Sequence, residues 1–207
     1  ALLSFITWFS ALEVGITNAL RQKITFYFTD RKFSQLSRLI GRGYLTLSKA
    51  YLLALIIVLI GILALDLNQL FIPSGYSNDQ LKLASIIGAS FYFIYYIIYF
   101  LNAILLSTHQ PTTTYLITLI QNIVTLGGVL YFEFTSTSPS LLLICFWFSF
   151  TPLITALASS VILFSKKLKP LLPSFSNAQK ELKERKNSKL IFSFLAIQIS
   201  ILIIFST

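Results

Sequence analysis

Hydrophobic residues run along this chain in long blocks that polar residues barely interrupt. A lipid hydrocarbon core is about 30 Å thick, and a helix needs about 20 apolar residues to cross it. Four blocks are that long, at 44–65, 81–106, 113–132 and 141–164, and two more occupy 1–20 and 190–207. Because lipid cannot hydrogen-bond a bare backbone, such continuous blocks predict helices rather than strands. The predicted fold is all-α, a polytopic transmembrane helix bundle.

The segments between the blocks differ in charge. Basic residues concentrate in two of them, 21–49 (Arg21, Lys23, Arg31, Lys32, Arg38, Arg42, Lys49) and 166–189 (Lys166, Lys167, Lys169, Lys180, Lys183, Arg185, Lys186, Lys189). The connections 66–80 and 133–140 carry acidic residues and no Lys or Arg. Lys and Arg mark the cytoplasmic side of membrane proteins. We therefore predict that both basic segments are cytoplasmic and that the helices alternate in direction.

Composition supports the membrane prediction. Hydrophobic residues make up 56% of the chain and charged residues 11%, with a mean hydropathy of +0.79, whereas about a quarter of the residues in a soluble domain are charged. Two basic segments on one membrane face would attract anionic lipid headgroups. Membrane lipids thus account for the net charge of +9, and we expect no nucleic-acid partner. The single Cys145 excludes a disulfide within the chain.

The sequence shows no enzymatic arrangement of residues. His109 is the only histidine, and no Cys, His or carboxylate cluster has the spacing of metal ligands. Gly41-Arg42-Gly43 lacks the strand and helix context of a phosphate-binding loop. We expect no catalytic residue, cofactor or metal, so polar groups inside the apolar blocks become the candidates for a transport function.

The first block carries Glu13, Thr17 and Arg21 at steps of four, with Asn18 beside Arg21. This spacing places the first three on one helical face. Because an ionised side chain near the bilayer centre costs about 2.5 to 3.5 kcal/mol, Glu13 is expected to face the bundle interior or a wet cavity. That face could bind an anionic or hydroxylated cargo. Alternatively, Glu13 pairs with a neighbouring helix and Arg21 reaches the lipid headgroups.

Tyr92, Tyr95, Tyr96, Tyr99 and Asn102 recur at steps of three and four in the block 81–106. They form a stripe on one side of the predicted helix. Tyrosine offers a ring face and a hydroxyl, which suits stacking against sugars. The same stripe could instead be a packing seam between helices.

Two further polar or helix-breaking positions stand out. Gln121 lies on one face of the block 113–132 with several threonines, a pattern that suits either a cavity or close helix packing. Pro152 lies inside the block 141–164, where the missing N–H predicts a kink or weak point that could act as a hinge.

The order of these features resembles a known family of transporters. The chain contains EVGITNALRQK at 13–23, NAILL at 102–106 followed by Gln110-Pro111, and IQI at 197–199 with FST at 205–207. In this order the runs are similar to those of the oligosaccharide and O-antigen flippases of the multidrug, oligosaccharidyl-lipid and polysaccharide (MOP) exporter superfamily. Glu13 and Thr17 depart from that pattern, which often has Asp and Gly there.

The resemblance implies a MATE-like architecture. Residues 1–165 would form part of the N-terminal transmembrane lobe, 166–189 a cytoplasmic basic linker, and 190–207 the start of the second lobe. We expect the chain to be an internal piece of a longer protein, since it opens and stops inside apolar blocks.

The resemblance also implies a function. Such proteins move a lipid-linked oligosaccharide of the undecaprenyl-diphosphate type across the bacterial inner membrane by alternating access. Cargo candidates on this lobe are Asn18, Arg21, Asn102 and Gln121, and other membrane proteins of polysaccharide assembly are expected partners.

Two alternatives stay open at this point. A cation-coupled multidrug or metabolite antiporter of the same superfamily would use a carboxylate such as Glu13. A membrane-embedded glycan polymerase or glycosyltransferase would need catalytic carboxylates or an arginine-rich external loop. The predicted external loops offer only Asp66, Asp79, Lys82 and Glu133, which argues against an enzyme.

Overall fold

A computed structural model of the chain describes residues 10–64, 66–67, 76–135 and 140–174, with the backbone alone at 10–16 and 19. This part contains five α-helices, namely α1 (Ser10–Thr29), α2 (Phe33–Ala64), α3 (Asn78–Ser107), α4 (Pro111–Phe134) and α5 (Leu141–Lys166), and a 3-10 turn at Lys169–Leu171. The all-α prediction is confirmed for these residues. The predicted span 190–207 and the linker beyond Ser174 lie outside them.

Helices α2 to α5 are each long and apolar enough to cross a membrane. They contain three of the four long apolar blocks and the fourth as far as Ala64, so the structure supports the prediction of a multi-pass membrane protein. The connection between α3 and α4 is short, because His109 adopts a left-handed backbone (φ 58°) that reverses the chain before Pro111 begins α4.

The predicted loop 21–49 is wrong, because almost all of it is helical. Helix α1 continues to Thr29, and α2 begins at Phe33. The turn between them places Arg31 in the left-handed region (φ 54°), and the Lys32 N–H donates to the Tyr27 carbonyl at 2.9 Å. A run of apolar residues indicates which part of a helix lies in lipid, but it does not show where the helix begins or ends. Helix α2, at about 48 Å, is longer than the lipid core is thick.

Helix α3 lies at the centre of the bundle and contacts each of the other four helices. Small residues on its buried face, Ala84, Gly88, Ala89 and Ala103, let neighbouring backbones approach closely. The most apolar stretch of α3 is 56% buried, whereas that of α4 is only 6% buried. Helix α3 is therefore the main packing element, and α4 is peripheral.

Helices α1, α2 and α3 meet at Gly43. A Cβ atom there would lie 2.6 Å from the Phe100 ring and 3.0 Å from Leu20, so a larger residue would force these side chains to shift. About two turns further along α2, the ring of Tyr51 stacks on that of Tyr96 in α3, with ring centroids 5.6 Å apart and ring planes 13° apart. Aromatic packing thus joins α2 to α3 along their length.

Both basic segments begin at the same end of the bundle. The Thr25 hydroxyl near the end of α1 donates to the Ser107 carbonyl at the end of α3, at 3.3 Å. After α5, the Ser174 N–H donates to the Ser37 carbonyl near the start of α2, also at 3.3 Å. The starts of the two basic segments thus lie at the same end of the bundle, as the prediction that both are on one membrane face requires.

The chain after α5 folds back onto α2 as a short strap, defined here as residues 168–174. Leu168 and Leu171 are each only 2% exposed, and the Ser37 hydroxyl donates to the Leu172 carbonyl. The strap passes over Gly41, where a Cβ atom would lie 2.7 Å from the Ser174 carbonyl oxygen. The predicted linker therefore begins with a segment packed on the bundle.

Replacing Gly41 by Val should displace the strap and destabilise the protein. Forcing extra atoms into packed space typically costs about 1 to 3 kcal/mol. Gly61→Val in the same helix is the matched control, because nothing lies within 4 Å of the added Cβ there. Thermal unfolding of the two purified variants measures the difference, and equal midpoints would show that the strap does not depend on Gly41.

Candidate functional site

Helices α3, α4 and α5 enclose a small cleft. Its walls are formed by Tyr95, Ile98, Tyr99, Leu101, Asn102, Ile117, Gln121, Ala156 and Ser159. The α3 residues repeat at steps of three and four, which puts them on one helical face, and Ile117 and Gln121 share a face of α4 for the same reason. The fold thus brings Gln121 of α4 to three residues of the predicted α3 stripe, Tyr95, Tyr99 and Asn102.

The enclosed space of the cleft is about 10 Å³. This is close to the volume that one water molecule requires. A sugar ring does not fit inside it in this conformation, so a glycan would meet these side chains only at the mouth of the cleft or after α4 has moved.

Asn102 is 6% exposed and lines the cleft. Gln121 lies on the facing helix α4 and is half-buried. Among the described residues, the hydroxyl of Thr114 on the same face of α4 is buried and has no hydrogen-bond partner. Leaving that hydroxyl unpaired costs about 1 to 3 kcal/mol.

The tyrosine stripe of α3 divides between two environments. Tyr96 packs against Tyr51 in the seam with α2, whereas Tyr95 and Tyr99 line the cleft with ring centroids 5.2 Å apart. Tyr92 joins the two groups, since its ring lies 6.3 Å from both Tyr95 and Tyr96. Only part of the stripe is therefore placed to meet a ligand in the cleft.

The candidate residues Asn18 and Arg21 of α1 lie at about the same level along the helix axes as the cleft, but they do not line it. Asn18 and Arg21 are both half-buried. Helix α1 runs parallel to α3, because Leu20 and Phe100 both lie beside Gly43 and Thr25 bonds to Ser107 further along both helices. Asn18 and Arg21 therefore lie at about the depth of Tyr99 and Asn102. The side chain of Glu13 lies outside the described residues.

Helix α5 continues without interruption through Pro152. Pro152 is buried, and the Thr155 hydroxyl donates to the Thr151 carbonyl at 2.9 Å and to the Pro152 carbonyl at 3.0 Å. Proline leaves one carbonyl of the preceding turn without its helical partner, so the helix is weakened here without being broken. A hinge at Pro152 stays a prediction.

The attachment of α4 to α5 was not foreseen from the sequence. The Trp147 indole N–H donates to the Thr125 carbonyl at 3.3 Å, and its ring covers Gly128 so closely that any Cβ there would overlap the indole. This contact sets the position of α4 and hence of Gln121. The available signal was a glycine pair, Gly127 and Gly128, in an otherwise apolar helix.

The described residues contain no group of three His, Cys, Asp or Glu side chains that could hold a metal ion. No protein-family model, curated protein or solved structure matches the chain. The class is therefore defined by the fold and the cleft alone: the described residues are all-α, with four helices able to span a membrane and a small cleft among three of them.

Gly128→Ala should shift Trp147 and loosen α4, because the added methyl group overlaps the indole. The adjacent Gly127→Ala is the matched control, since nothing lies within 4 Å of a Cβ there. Fluorescence in a Trp8→Phe background reports on Trp147 alone. We expect a changed emission maximum and a lower unfolding temperature for the first variant only; identical spectra for both would show that Gly128 does not position α4.

Proposed function

We propose that this chain is part of the N-terminal lobe of a transporter that flips a lipid-linked oligosaccharide across the bacterial inner membrane by alternating access. The transporter would be an oligosaccharide flippase of the MOP superfamily. The observation that carries this proposal is the meeting of Asn102 and Gln121 with Tyr95 and Tyr99 in one cleft of an apolar bundle.

The chemistry of the cleft favours a sugar over a cationic drug. Its polar groups are amides and hydroxyls, and none of its lining residues carries a formal charge. Amides exchange hydrogen bonds with sugar hydroxyls, and tyrosine rings pack against sugar faces. A binding site for a cationic cargo would need a carboxylate to offset its desolvation, and the residues lining this cleft include none.

The diphosphate of the lipid carrier needs a cation, and Arg21 is the candidate. It is half-buried at about the depth of the cleft, and a guanidinium binds phosphate oxygens in a bidentate manner. With both basic segments on the cytoplasmic side, Arg21 would lie on the route by which the diphosphate enters. Anionic membrane lipids and the lipid-linked glycan are the proposed partners, together with other polysaccharide-assembly proteins.

The small size of the cleft is consistent with a transporter between substrate-loading states. Alternating access requires one element to move, and α4 is the least buried of the four spanning helices. Separating α4 from α3 would expose Asn102 and Gln121 together.

Arg21→Ala in the intact protein should abolish display of the glycan at the cell surface while leaving the protein level in the membrane unchanged, because the carrier diphosphate loses its cation. Lys49→Ala is the control, as it removes an exposed positive charge from a neighbouring helix and should leave display intact. Immunoblotting for protein and glycan staining of cells measure both. Normal display in Arg21→Ala would exclude Arg21 as a cargo residue.

A further inference from the structure

One side of helix α2 carries positive charge near the basic end of the bundle and apolar surface below it. Arg38, Arg42 and Lys49 follow one another at steps of four and seven residues, which puts them on one helical face. Lys49 is exposed, and the two arginines are half-buried. This outward face also contains the apolar residues that continue the stripe along the helix, Leu52, Leu53, Ile56 and Ile60.

The outward face lies opposite the side by which α2 packs into the bundle. Buried residues of α2 recur on that other side, at Leu47, Tyr51, Ala54 and Val58. The four apolar residues of the outward face are each more than half exposed. In a helix that crosses a membrane, such a surface is suited to contact with lipid acyl chains, because hydrocarbon covers it without loss of hydrogen bonds.

Lys49 lies deeper than a headgroup-facing lysine usually does. It stands five residues inside the apolar block 44–65, which is about 7 Å along the helix axis. Side chains of a helix lean toward its N-terminus, and the start of α2 lies at the basic end, where Ser37 bonds the strap. The Lys49 ammonium therefore leans toward the headgroups, and its long apolar stem lets it reach them.

The charge on the outward face is complementary to an anion. Helix α2 contains no Asp or Glu, so its own sequence offers no carboxylate to these three cations. The turn before α2 differs, because the Lys32 ammonium is paired with the Asp30 carboxylate at 2.9 Å. Phosphate oxygens bind both ammonium and guanidinium groups strongly, so a phosphate-bearing lipid matches the cations as well as the apolar stripe beneath them.

We propose that the outward face of α2 is a binding site for one anionic phospholipid. Its headgroup phosphate binds Lys49 and Arg42, and its acyl chains lie along the exposed leucines and isoleucines that follow. The site locates the anionic lipids that were proposed above as partners. It depends on α2 crossing the membrane and not on what the transporter carries, because the bound lipid is not the cargo.

Native mass spectrometry of the intact, detergent-purified protein tests the site. Phosphatidylglycerol should bind more tightly than phosphatidylcholine with the same acyl chains. Lys49→Gln should weaken phosphatidylglycerol binding about fivefold, the loss expected for one cation near a headgroup, and should leave phosphatidylcholine binding unchanged. Lys49→Arg keeps the charge and should keep the affinity. Lys167→Gln is the matched control, since it removes an exposed charge at the same end but from the chain after α5.

Several results would overturn the proposal. Equal affinity for the two lipids would show that no anionic headgroup is recognised, and equal losses in Lys49→Gln and Lys167→Gln would show only a general attraction to the basic end. Displacement of the lipid by inorganic phosphate alone would assign the cations to free phosphate. Because Lys49 is exposed, its variants should unfold at the temperature of the unmodified protein. Glycan display is not measured, so failure here is separable from failure of the flippase proposal.

Discussion

The burial of α3 is the constraint on which the rest of this structure depends. A helix in contact with four others needs small side chains where the neighbouring helices pack against it. Each of its buried polar groups also needs a hydrogen-bond partner. Ala84, Gly88 and Ala103 meet the first requirement, and the hydroxyls of Ser85 and Ser107 meet the second by donating to carbonyls of the preceding turn, at 2.7 and 2.6 Å. Serine is tolerated inside a membrane helix for this reason.

Asn102 is the exception to that rule on α3. An amide cannot satisfy all of its donors and acceptors within its own helix as a serine hydroxyl does, so it has to find groups on other elements. It lines the cleft together with Gln121 of α4. A buried amide beside a second amide from another helix is what makes the cleft a candidate site.

Sequence reasoning located the apolar blocks because lipid thickness is a strong constraint on length, and each of the four long blocks corresponds to one of the helices α2 to α5. It misplaced the start of α2, since Ser34 and Arg38 are polar and yet helical. Periodicity showed which side chains share a face, such as Tyr95, Tyr99 and Asn102. It could not show that this face meets Gln121, because the pairing of faces depends on packing at glycines such as Gly128.

The bundle joins a firmly packed part to a loosely attached helix. Helices α1, α2, α3 and α5 are connected through Gly43, the aromatic seam of Tyr51 and the strap, whereas α4 buries only Thr114, Ile117 and Gly128. Moving α4 would therefore disturb few apolar contacts, and the strap would still hold α5 to α2 at the basic end. Under the proposed transport function, the cleft between α3 and α4 lies beside the least buried of the four spanning helices. Binding there would thus act directly on the helix that is easiest to displace.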